Sequence, residues 1–86
     1  MNLQFTRILK ADGRLREFNF TKQARQKQPL IFSVDVTDNN FHRVYFDMLR
    51  DDQGWKIVQQ QIPLWVLENE NKLHLVIEEE MKQGVA

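Results

Sequence analysis

Phe41-His42-Arg43-Val44-Tyr45-Phe46-Asp47-Met48-Leu49-Arg50 is the stretch that decides how this chain is laid out. Its even positions, Val44, Phe46 and Met48, form an apolar row at period two, the spacing of one face of a β-strand. Its odd positions set Phe41, Tyr45 and Leu49 among Arg43 and Asp47, so the second face is not plainly polar. A strand with apolar residues on both sides belongs in the middle of a sheet, with something packed on each face.

The neighbours of this strand follow from turns and parity. Residues 30–37 (LIFSVDVT) put Leu30, Phe32, Val34 and Val36 on one face. A three-residue Asp38-Asn39-Asn40 loop pairs Val36 with His42, Val34 with Val44, Phe32 with Phe46 and Leu30 with Met48, nearly all apolar on apolar. Asn tolerates the left-handed backbone such a loop needs. The same register sets Asp35 opposite Arg43 and Ser33 opposite Tyr45. Downstream, Asp51-Asp52-Gln53-Gly54 is a turn, and residues 55–60 return as a strand with Ile57 beside Met48.

Upstream, residues 3–10 and 15–21 alternate around Asp12-Gly13, a strong signal for a two-residue hairpin turn. That turn sets Phe5 opposite Phe20, Arg7 opposite Phe18 and Leu9 opposite Arg16. Leu3, Phe5, Leu9, Phe18 and Phe20 then share a face, and Ile8 and Leu15 lie on the mostly polar other one. Residues 22–29 (KQARQKQP) form a basic connector closed by Pro29.

Residues 63–82 read as a helix: Pro63 suits the first turn, the Glu78-Glu79-Glu80 run favours helix, and Gly84 is a natural stop. Trp65, Val66, Leu73, Val76, Ile77 and Met81 fall on one side, wide enough to lie across a sheet. Leu73, Leu75 and Ile77 also alternate, so two strands about Asn69-Glu70-Asn71 compete; the alternation is short and Val76 interrupts it. The predicted fold is α+β: one domain over residues 1–86, a five-stranded antiparallel β-meander (3–10, 15–21, 30–37, 41–50, 55–60) with one C-terminal α-helix packed on one face.

Composition is that of an ordinary globular chain, 42% hydrophobic and 28% charged, with no cysteine. Disulfides and thiolate chemistry are thereby excluded. No apolar run approaches membrane-spanning length, so no membrane partner is expected and a cytoplasmic location is the default expectation. The net charge of zero conceals an asymmetry: residues 1–30 hold seven Lys/Arg against two acids, and residues 31–86 five against ten. Either the basic end meets a polyanion, or it meets the acidic end in the same chain or in a second copy.

No catalytic constellation, metal site or cofactor motif can be assembled, and a non-enzymatic chain is the expectation. His42 and His74 lack ligand spacing, the lone Ser33 lacks a nucleophile elbow, and the three glycines form no phosphate loop. Two apolar surfaces remain after the core is assigned: Phe41, Arg43, Tyr45 and Leu49 on the sheet's other face, and Leu64, Leu67 and Leu75 on the back of the helix, spaced like a weak pairing seam. Aromatic residues with Arg suit the centre of a homodimer interface, so a self-associating interaction module is the first expectation. The alternative is single-stranded nucleic-acid binding through Arg7, Arg14, Arg16, Lys22, Arg25 and Lys27 with the sheet aromatics. In element order alone, strands followed by one helix, the layout resembles the small dimeric folds of the Pur-alpha and Whirly type. Those bind single-stranded nucleic acid through curved sheets, and the resemblance implies that expectation without carrying any residue over.

Overall fold

A computed structural model describes residues 3–23, 30–59 and 61–85. Strands β1 (Gln4–Ala11), β2 (Arg14–Lys22), β3 (Ile31–Thr37), β4 (Arg43–Asp51) and β5 (Gly54–Ile57) form one antiparallel sheet in sequence order. Two helical pieces follow, α1 (Leu64–Leu67) and α2 (Glu70–Val85). The five-stranded meander with its C-terminal helical segment is thus the architecture that the alternation predicts. No described helix is long and apolar enough to cross a membrane.

The first hairpin has the expected register, Phe5 with Phe20, Arg7 with Phe18 and Leu9 with Arg16. Asp12 and Gly13 both take positive φ, as a tight turn that follows the strand twist requires. Ile57 stands opposite Met48, also as the turn predicts.

The β3–β4 register differs. Val36 pairs with Val44, Val34 with Phe46 and Phe32 with Met48, a slip of two residues from the predicted pairs. A slip of two keeps every side chain on its face, so the apolar row survives with new partners. The cause is the loop, which runs from Asp38 to His42. Asp38 Oδ1 accepts the backbone N–H of Asn40 at 2.8 Å and of His42 at 2.9 Å, and the Asp38 N–H donates to the His42 carbonyl at 2.8 Å. The two N–H groups, His42 first, hold the Asp38 carboxyl below the ordinary carboxylate range. Asp35 therefore faces Tyr45, and Arg43 reaches Asp35 diagonally, Nη1 to Oδ1 at 2.5 Å.

The predicted continuous helix is interrupted at Glu68 and Asn69. Asn69 Nδ2 donates to the Trp65 carbonyl at 2.5 Å, and the Asn69 N–H goes to Val66 O at 3.0 Å, three residues back. An Asn that bonds the local backbone competes with helix continuation, and here it ends one helix and starts the next.

The core lies between the sheet and the helices. Phe18, Phe20, Phe32, Val34, Val36, Phe46, Met48 and Trp55 from the strands meet Val66, Leu73, Val76 and Ile77 from the helices, all buried. Trp55 packs edge-on to Phe32 with ring centroids 5.2 Å apart. Helix α2 reaches both edge strands. On β5 it accepts the Trp55 N–H with His74 Nδ1 (3.0 Å) and the Ile57 N–H with a Glu70 oxygen (2.8 Å). On β1 it receives Arg7 at Glu79 and Glu80, and Lys72 Nζ donates to the Lys10 carbonyl at 2.8 Å. In a flat sheet these edges would be about 19 Å apart, four strand spacings. One helix spans them because the sheet curls around it.

Candidate functional site

The convex face of the sheet, away from α2, carries the first set of sequence-predicted partner residues. Its centre is a polar network. The Thr6 hydroxyl donates to Asn19 Oδ1, Asn19 Nδ2 donates to Asp35 Oδ1 at 2.9 Å, and Arg43 closes on the same carboxylate. One row along, Ser33 Oγ donates to Asp47 Oδ1 at 3.1 Å, and Gln59 folds back over the face to bond both the Asp47 carboxylate and its N–H. Leu49 is half-buried beside its cross-strand partner Ile31. Tyr45 is 70% exposed and Phe41 89%, with Ile8, Leu15 and Val58 also exposed on this side.

Phe41 owes its exposure to backbone geometry. It sits at φ 65° in the loop held by Asp38, its N–H donating to the Asp38 carbonyl at 3.1 Å. A bulky residue in the left-handed region is strained by about 1–3 kcal/mol. Phe41→Asn, which tolerates this conformation, is expected to raise stability by about 0.5–1 kcal/mol, read as a higher urea midpoint with unchanged slope. A fall in the midpoint would show that the ring itself is needed by the fold.

The second set lies on the helices. Leu64 is 68% and Leu75 57% exposed, whereas Leu67 is half-buried against the core. A pairing seam requires one continuous helix, and the interruption at Glu68 and Asn69 leaves Leu64 and Leu67 in α1 and Leu75 in α2. Glu78, one turn beyond Leu75, accepts the Trp55 indole N–H at 2.9 Å.

The basic set is divided by burial. Arg7 bonds Glu79 and Glu80, which push its guanidinium above its ordinary pKa. Arg16 is 7% exposed: Nε donates to Ala11 O (2.8 Å), Nη1 to Thr37 O (3.0 Å) and Nη2 to Asn39 Oδ1 (2.6 Å). Its guanidinium also lies 4.6 Å over the Trp65 ring. Arg14 is exposed with an Asn39 contact at 3.2 Å, and Lys22 is half-buried. Arg25 and Lys27 lie outside the described residues. Both inward cations were readable from hairpin parity, since Arg7 faces Phe18 and Leu9 faces Arg16.

The histidines take separate positions. His42 stands on the loop, with Nδ1 3.8 Å from Asp38, and His74 is packed against Gly54 between helix and sheet. Among the described residues no group of three His, Asp or Glu is placed to hold a metal ion. A shallow cleft of about 210 Å³ between the two loops is lined by Arg14, Leu15, Arg16, Glu17, Thr37, Asp38, Asn39 and Phe41. Its two acids, Glu17 and Asp38, balance its two arginines. No protein family matches this sequence, and neither a characterised protein nor a solved structure comes out as similar to it.

Proposed function

We propose that this chain is a non-enzymatic interaction module that works by self-association. The observation that carries the reading is the set of large apolar side chains outside the core: Ile8, Leu15, Phe41, Tyr45, Leu64 and Leu75 are all more than half exposed. Burying such side chains against a second copy contributes about 25 cal/mol per Å² of apolar surface, a sizeable addition for a chain with a small core. These side chains divide among the convex face around Tyr45 and Phe41, the helix back at Leu64 and Leu75, and strand β1 at Ile8.

Single-stranded nucleic acid is less well supported. Of the four described cations in that set, Arg7 and Arg16 are already bound to groups of the same chain, so the basic N-terminal segment is partly neutralised within the fold.

Gel filtration over a dilution series tests the proposal. A dimer in exchange with monomer elutes later as the load falls through the micromolar range, whereas a constant monomer volume at every load contradicts self-association.

A further inference from the structure

The two edges of the sheet are treated differently. On β5 the outward N–H groups of Trp55 and Ile57 are taken by His74 and Glu70, so helix side chains seal that edge. On β1 the parity is fixed by the Lys22 N–H, which donates to the Leu3 carbonyl at 2.9 Å. Odd residues of β1 therefore bond β2, and the N–H and C=O groups of Gln4, Thr6, Ile8 and Lys10 point outward. Among the described residues only the Lys10 carbonyl of that row has a partner, Lys72 Nζ.

β1 is also well formed for pairing. It runs eight residues, Gln4–Ala11, in unbroken register without bulge, Pro or Gly. The core-facing row is less covered at this edge: Phe18, Phe20, Phe32 and Val34 are buried, yet Leu3, Phe5 and Leu9 on β1 are only partly so. On the convex side Ile8 is 63% exposed.

Resting on the self-association reading, we infer that the second copy docks at this edge, β1 against β1 in antiparallel order about a two-fold axis at Ile8. In that register Ile8 faces Ile8, Thr6 faces Lys10, Arg7 faces Leu9 and Phe5 faces Ala11. No like charges oppose each other, and the half-buried Phe5 and Leu9 gain neighbours. A register centred one residue earlier would set Arg7 against Arg7 and is disfavoured. An inward-pointing charge on an edge strand ordinarily deters pairing. Here Arg7 is already neutralised by Glu79 and Glu80, which removes that obstacle.

Two variants and one exchange measurement test the edge. Ile8→Lys places like charges opposite each other across the axis, and Ile8→Pro deletes an outward N–H that the single chain does not use. Both are expected to be monomeric with native circular dichroism, while Tyr45→Glu and Leu75→Glu remain dimeric. In the wild type, amide exchange at Thr6 and Ile8 should slow as concentration rises. If the dimer survives both Ile8 variants, or those amides stay unprotected in it, the edge is overturned and self-association stands. If Tyr45→Glu or Leu75→Glu alone dissociates the dimer, the interface is at that residue instead and the edge is again overturned. A wild type that is monomeric throughout overturns both readings.

Discussion

Gly54→Ala is expected to unfold a large part of the population in conditions where the wild type is fully folded. Gly54 sits at φ +125°, where an L side chain is strained, and a Cβ there would lie 2.5 Å from His74 Cε1 and 2.7 Å from Nδ1. The imidazole cannot simply swing away, because its Nδ1 accepts the Trp55 N–H that would otherwise be an open edge donor. Backbone strain of about 1–3 kcal/mol adds to overpacking of similar size, about 1–3 kcal/mol. A domain of this length has a total of only about 4–13 kcal/mol. Urea unfolding gives the loss directly. Adding His74→Ala removes the clash but not the strain, so the double variant should lose less than the two single losses combined. A Gly54→Ala midpoint equal to wild type would mean that helix α2 does not press on the turn as described.

Arg16→Met is expected to cost about 2–5 kcal/mol, although it places an apolar residue where burial is nearly complete. The loss comes from what remains behind: the Ala11 and Thr37 carbonyls and Asn39 Oδ1 keep their polarity and each lose a donor, Asn39 keeping only the longer contact to Arg14 at 3.2 Å. Arg16→Lys keeps the charge but lacks the planar fork that reaches three acceptors while lying over Trp65, so it should recover little. For a domain of this size each kcal/mol lowers the melting temperature by about 4–8 °C, well within calorimetric reach. A Met variant as stable as wild type would mean that water replaces the guanidinium at the loop end of the sheet.

The fold was readable wherever local chemistry decided it. Asp12-Gly13 fixed the first hairpin to the residue, and the alternation of residues 41–50 identified a strand with a core side and a second, contested side. Two errors came from side chains that act on backbone. Asp38 collects two loop N–H groups, which lengthens the loop and slips the β3–β4 register by two. Asn69 takes the Trp65 carbonyl and divides the helix. Both residue types announce such behaviour, but composition does not say which backbone group they will choose. The roles of Glu70 and His74 on the β5 edge lay further out of reach, because they join residues brought together only by the curl of the sheet. The candidate surfaces were legible as apolar residues without a core role, and their surroundings were not: the polar network around Asp35 and Asp47 depends on three strands in register and on Gln59 folding back.

Self-association is the central claim, and sedimentation equilibrium of the wild-type chain at micromolar concentration tests it most directly. The expected weight-average mass rises with concentration toward twice the 10.4 kDa of one chain. A mass that stays at the single-chain value across the whole range would contradict it.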